Sequence, residues 1–272
     1  MPTSPANPRP RAWDGVLTAP IPGRSAKPRQ IGTTFVSAKG VGANGFRDLI
    51  DVAADYIDRV KLAFGHTVLI DEQVLREKIA ILRAADIDVN PGGTCAEIAL
   101  FQDAFVPFLG RAADLGFNTI EVSDGTVPMD DSTRERCIKQ ALDAGFKVVS
   151  EVGKKDPAEN LIVDETLRQI HRDLGFGVAA VVIESREGAR GIGVFDADGR
   201  VKGGEVDQIV AEVDPGSLIW EAPSKAGQEF FIGRFGVNVN LGNIAPVDVI
   251  AVEALRQGLR GDTFRWVVNS VR

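Results

Sequence analysis

Five acids and four lysines stand at or just past the ends of short apolar runs, where they could do chemistry together. The acids are Glu121, Asp124, Glu151, Glu184 and Glu221, and the lysines are Lys39, Lys61, Lys154 and Lys155. A single acid in such a place is commonly a salt-bridge partner. Acids at several run ends are harder to explain that way, because charges seldom sit beside a core unless paired or ligating. Oxygen ligands without a histidine–cysteine cluster point to Mg2+ rather than zinc. Such an ion often takes only one or two carboxylates, which leaves some of these acids to pair with the lysines. Lys61 lies inside a strand-like run. A lysine held there opposite carboxylates can move a proton or neutralise a substrate carboxylate or phosphate.

Anion-holding groups accompany the charges. Gly92-Gly93-Thr94 precedes a predicted helix, and Gly242-Asn243 follows the last apolar run, which ends at Asn240-Leu241. Both can present backbone N–H groups to an anion, and the second is near the place where barrels commonly bind phosphate. Neither is a P-loop or a dinucleotide fingerprint. Arg186 and Arg190 stand among glycines in a loop suited to oxyanions, although surface solubility alone explains an arginine such as Arg190. His66, beside Gly65 and Thr67, carries an imidazole suited to proton transfer and is a further catalytic candidate. His171, in a predicted helix next to Arg172, reads as structural or solvated.

These residues need elements to position them. Eight strand-like runs cover residues 31–36, 56–62, 87–89, 117–122, 146–152, 178–183, 217–220 and 236–241. Helical spacing fills the intervals at 45–54, 72–85, 96–113, 132–144, 163–174, 205–212, 228–234 and 246–257, with a break expected at Pro107. Residues 193–201 form a small excursion with a turn at Asp196-Ala197-Asp198-Gly199. Strands alternating with helices call for a parallel sheet. Eight units in about 240 residues suit a closed (β/α)8 TIM barrel, with the active site at the C-terminal rim of the strands. Residues 1–30 hold seven of the 14 prolines and read as a flexible N-terminal arm, with residues 31–272 as one barrel domain.

Composition narrows the function further. The net charge of −7 argues against nucleic acid as a partner, while a small anionic substrate needs only local positive charge. No apolar stretch approaches the roughly 20 residues that span a bilayer, and the first residues lack an apolar leader. Cytoplasmic placement is the expectation. Cys95 and Cys137 have neither metal spacing nor a disulfide framework, which suits a reducing compartment.

Several stretches together resemble the phosphosulfolactate synthase family. They are Asp55-Tyr56-Ile57-Asp58 with Val60-Lys61, Pro91-Gly92-Gly93-Thr94, Glu121-Val122-Ser123-Asp124-Gly125, Ser150-Glu151-Val152-Gly153-Lys154-Lys155, Glu221-Ala222-Pro223, Val239-Asn240-Leu241-Gly242-Asn243-Ile244 and the tail from Leu255 to Phe264. The resemblance covers about residues 30–265 in the same order. It implies a homo-oligomeric barrel enzyme that adds sulfite to phosphoenolpyruvate with Mg2+, giving 2-phospho-3-sulfolactate through an enolate protonated by a lysine. It also implies that the lysine pair after the fifth strand supplies that proton, with Lys155 first and Lys154 second. Lys39, Lys61, Arg186 and Arg190 would then handle carboxylate, sulfonate or phosphate groups, with Glu121, Glu151 and Glu184 on the metal side and Asp124 and Glu221 as supporting acids. The chain departs from the family pattern at Leu62-Ala63-Phe64-Gly65-His66, at Asn90 where the family has an aromatic residue, at Ser185-Arg186-Glu187-Gly188-Ala189 and after Pro223. Those departures leave room for a different nucleophile or acceptor. A non-catalytic stress or scaffold protein on the same barrel is the remaining alternative.

Overall fold

Short β-branched runs with no polar face need cover on both sides, and a ring of parallel strands sheathed by helices provides it. The computed structural model describes residues 10–63, 65–153, 161–185, 188 and 190–271. In chain order the elements are β1 (Thr34–Ala38), α1 (Ala43–Ala53), β2 (Arg59–Leu62), α2 (Glu72–Ala84), β3 (Asp88–Asn90), α3 (Gly93–Phe101), α4 (Phe105–Leu115), β4 (Thr119–Val122) and α5 (Asp131–Asp143). They continue as β5 (Lys147–Val152), α6 (Val163–Phe176), β6 (Ala180–Ile183), α7 (Gly203–Glu212), β7 (Leu218–Glu221), α8 (Lys225–Phe235), β8 (Leu241–Ile244), α9 (Val249–Arg256) and α10 (Gly261–Ser270).

The strands form one parallel sheet in the order β3-β2-β1-β8-β7-β6-β5-β4. Its two ends meet at β3 and β4, where a side chain replaces the missing ladder. Val89 N–H donates to Asn118 Oδ1 at 2.9 Å, and Asn118 Nδ2 donates to Asp88 Oδ1 at 2.6 Å. Asn118 N–H also donates to the Val89 carbonyl at 3.3 Å. The result is a nearly closed (β/α)8 barrel, the fold class expected from the alternation of runs.

Strand pleating decides which residues face the barrel interior. Phe35, Val149, Ala180, Val182 and Ile219 form an apolar plug inside it, separate from the larger core between sheet and helices. Side chains alternate along a strand, so residues two positions further on share the inward face. From Phe35, Val149, Val182 and Ile219 those residues are Ser37, Glu151, Glu184 and Glu221, and register turns Lys61, beside Ser37, and Glu121, beside Val149, to the same interior. The register Ser37↔Lys61↔Asn90 puts three polar residues in one inward row across β1, β2 and β3.

Three expectations change. The long helix at 96–113 is two, α3 and α4, and the break precedes Pro107. Asp103 takes a left-handed φ of 53° there, while Pro107 sits in the first turn of α4, where its missing N–H costs nothing. The eighth strand starts five residues later than the apolar run 236–241, at Leu241. Finally, residues 22–30 are not a loose arm. Arg24 pairs with Glu253 at 2.9 Å, Arg29 pairs with Asp58 at 3.1 Å, and Lys27 Nζ donates to the carbonyls of Ala54 and Ala85. This segment lies across the N-terminal end of the barrel, opposite the rim that carries the acids.

Candidate active site

The acids and Lys61 converge because their strands end on one rim and their side chains share the inward face. Lys61 Nζ donates to Glu121 Oε1 at 2.9 Å and to Glu151 Oε2 at 3.3 Å, with Glu221 Oε1 at 3.6 Å. These side chains are all buried, and Lys61 is only 9% exposed. Burial by itself would lower the Lys61 pKa, but the fields of Glu121, Glu151, Glu221 and Glu184 outweigh it and hold the ammonium well above its ordinary value. Lys61 is therefore a fixed positive charge near neutral pH.

The surplus of acid has its own consequence. Burial, then the charges of Glu151 and Glu221, push Glu184 well above the usual carboxylate range. Burial also raises Glu121, against the pull of Lys61. Glu221 is further held by the Ser185 N–H at 3.1 Å and by Asn243 Nδ2 at 3.3 Å.

The PGGT turn serves this cluster from inside. Gly93 N–H donates to Glu121 Oε1 at 2.8 Å, and Gly92 N–H donates to Asn90 Oδ1 at 3.0 Å. The amides expected to hold a substrate anion thus hold the protein's own groups, which corrects the assignment of Gly92 and Gly93. Thr94 is half-buried in the first turn of α3. A methyl group at Gly93 would lie 2.6 Å from Ser123 Cβ and 2.9 Å from Glu121 Oε1. Gly93→Ala should accordingly cost about 1–3 kcal/mol of stability and, by moving Glu121, lower kcat/KM by about tenfold or more. Thermal unfolding and steady-state kinetics on the same preparation would check both.

Asn240 needs a larger correction. It precedes β8, so it lies at the opposite end of the barrel from the rim. Its Oδ1 accepts from Thr33 N–H and Oγ1 at 3.0 Å, and its Nδ2 donates to the Gly216 and Leu218 carbonyls at 2.9 Å. Its amide is committed to joining β1, β7 and β8 there. Gly242, by contrast, stands beside Glu221 in register, and a methyl group there would come 3.0 Å from Ile219 Cγ2. Glycine at this position leaves room for the Ile219 side chain of the apolar plug. Asn243, held at a φ of 54°, lines a rim cavity of about 400 Å3 together with Ser37, Lys39, Pro223 and Val247.

The remaining candidates spread around the rim. Asp124 pairs with Arg134 at 3.2 Å. His66 is half-buried in the 3-10 turn after β2 and is not among the residues lining that cavity. Arg190 is exposed in the loop after β6. Lys154, Lys155 and Arg186 lie outside the described residues.

Two buried charges that brace the rim carry no clear mark in the sequence. Arg134 on α5 donates to Asp173 at 2.6 Å and to the Glu151 carbonyl at 2.9 Å, fastening the end of β5 to α5 and α6. Its neighbours Glu135 and Arg136 are charged too, so nothing local marks it as the inward one. Glu97 accepts from Ser123 Oγ at 2.6 Å and from the N–H groups of Thr126 and Val127 at 2.7 and 2.6 Å, which shapes the loop after β4. A lone acid in the apolar stretch Ala96–Ala99 was the available signal.

Comparison with known proteins adds a lineage to this geometry. Residues 22–262 match the family described as (2R)-phospho-3-sulfolactate synthase (ComA). A phosphosulfolactate synthase of Methanocaldococcus jannaschii is 44% identical over 237 residues, covering 86% of this chain and 94% of that protein. Another, of Methanothermobacter thermautotrophicus, is 40% identical over 244 residues, covering 89% and 95%. Among solved structures, 3-hexulose-6-phosphate synthase from Salmonella typhimurium has a TM-score of 0.55 at 12% identity, over 88% of this chain and all of its own. That last likeness concerns the barrel alone. With relatives matched over nearly their whole length and a family match running from the N-terminal segment into α10, this chain belongs to the (2R)-phospho-3-sulfolactate synthase family.

Proposed function

We propose that this enzyme adds sulfite to phosphoenolpyruvate in a Mg2+-assisted reaction, giving 2-phospho-3-sulfolactate. The observation that carries the reading is the ring of Glu121, Glu151 and Glu221 around Lys61 at the barrel rim. It stands in a chain whose relatives bear the name of that activity. The sulfur lone pair forms a bond to C3 of the enol, and the C2–C3 π pair moves onto C2 and its carboxylate. A proton then adds at C2, and the phosphate ester stays intact. Because Lys61 stays protonated, its part is to hold the developing carboxylate charge rather than to give the proton away. Lys155 is assigned the proton transfer, with Lys154 beside it, since both follow Gly153 directly after β5. Lys39 and Asn243 at the cavity wall, with Arg186 and Arg190 from the β6 loop, suit the phosphate and sulfonate groups.

The acids fit one divalent ion. Glu121 Oε2 is buried with no hydrogen-bond partner among the described residues. Glu121 and Glu184 are both raised by burial beside other acids, a strain that a second positive charge relieves. Among the described residues no three His, Cys, Asp or Glu side chains form a ready-made metal cage, so one or two carboxylates would hold the ion, with water and substrate completing its shell. Glu121 and Glu184 would hold it first, with Glu151 as the third candidate. When bound, Mg2+ supplies Lewis-acid stabilisation of the charge on the substrate carboxylate.

The same reading makes the protein a cytoplasmic homo-oligomer acting on a small anionic substrate. Among the described residues no helix is long and apolar enough to cross a membrane. The deciding experiment is incubation with phosphoenolpyruvate, Mg2+ and sulfite, followed by product mass. Absence of a sulfonated product would sink the sulfite assignment, and a product with another nucleophile would redirect it. Lys155→Ala should lower kcat by about 10²–10⁴-fold while phosphoenolpyruvate binding persists. Full activity in that variant would move the proton donor to Lys154.

A further inference from the structure

Asn90, at the C-terminal end of β3, has no part in the scheme above. It is in register with Lys61 on the neighbouring strand, so both side chains face the barrel interior. The Gly92 backbone lies against the Lys61 stem, within 3.5 Å of its Cγ and Cδ as measured from the place a Cβ would occupy. Asn90 is fully buried, and its Oδ1 accepts from Gly92 N–H. That bond fixes the orientation of the amide, because turning it over would aim an NH2 group at an N–H. The NH2 end is left with no hydrogen-bond partner among the described residues. Leaving a buried donor unsatisfied is costly, so such an atom calls for an explanation.

We propose that Asn90 contacts the substrate, its Nδ2 donating to an oxyanion of phosphoenolpyruvate or sulfite beside the Lys61 ammonium. An oxyanion suits the place: a fixed NH2 donor lies next to a fixed positive charge, across the barrel from Glu221. Access is no separate obstacle. Lys61 and the four glutamates of the cluster are also nearly closed off, so whatever admits substrate to them admits it to Asn90. The inference rests on the oxyanion chemistry proposed above.

Two variants separate a binding role from a turn-holding one. Asn90→Ser keeps an oxygen able to accept from Gly92 N–H but withdraws the amide donor. Asn90→Asp keeps the acceptor and puts a second oxygen where the donor was. The expected result is a KM raised about tenfold or more for one of the two substrates, with kcat changed less than about threefold. Asn90→Asp should be the more affected, and the Tm of Asn90→Ser should stay within a few degrees of wild type. The choice of substrate tells which oxyanion is held. Thermal protection by phosphoenolpyruvate, phosphate and sulfite, each added alone, gives a readout independent of turnover. Protection of wild type that the variants lose for the same compound supports the contact even if no sulfonated product forms. Unchanged KM values and protection in folded variants would overturn it, as would a wild type that none of the three protects.

Discussion

Lys61→Met is expected to lower kcat/KM by about 10²–10³-fold and to destabilise the fold by about 3–5 kcal/mol near pH 8. The ammonium is the counter-charge for Glu121, Glu151 and Glu221 in a space almost closed to water. Methionine preserves most of the volume and leaves those carboxylates facing one another. The pH dependence follows from the direction of the shifts. In wild type the Lys61 pKa is raised, so its contribution is complete below about pH 10.4 and lost only as pH rises through the folded value. In the variant the acids lose their counter-ion and their folded pKa values climb. An acid with a raised pKa stabilises the fold fully below about pH 4.3 and loses that contribution as pH rises through its folded value. The stability gap should therefore widen from pH 5 to pH 9. Urea unfolding at several pH values checks this, and a gap independent of pH would mean that Lys61 is not the counter-ion.

Arg134→Leu should also cost about 3–5 kcal/mol, because it strands Asp173, which is 1% exposed, without its partner. The arginine stays charged, since Asp173, Asp124 and Glu151 outweigh the effect of burial. The Glu151 carbonyl loses its donor as well, and Lys154 and Lys155 follow three and four residues later. Activity should fall by about tenfold or more as that strand end loosens. Arg134→Leu combined with Asp173→Leu separates the two effects. Removing both partners of a buried pair can be nearly neutral, so stability should largely return while the activity loss remains. Recovery of both would reduce Arg134 to a packing role, and recovery of neither would show that the wider network depends on it.

The outer architecture was legible because parallel strands buried on both faces must be apolar runs, and Val178–Ile183 shows this plainly. The eighth strand was misplaced for the opposite reason. Its residues Leu241-Gly242-Asn243-Ile244 serve the rim with a glycine and an asparagine, so they look less strand-like than the turn before them. Asn240 was drawn to the wrong end of the barrel by the same shift. The N-terminal segment misled by composition. Prolines suggested a loose arm, but Arg24, Lys27 and Arg29 each find a partner on the barrel.

Sequence alone determined that glutamates and lysines end the strands of one barrel, since period, punctuation and residue type are local properties. Only tertiary structure decided how those charges are shared. The pleat turns Lys61 toward the acids of β4, β5 and β7 rather than toward solvent, and burial then makes it their common counter-ion. Closure at the β3–β4 seam brings the PGGT turn onto Glu121 instead of onto a substrate anion. Register places Asn90 in the same inward row as Lys61, and Arg134 reaches Glu151 from a helix 17 residues earlier in the chain. Field and desolvation depend on distances through space, which residue spacing along the chain does not encode.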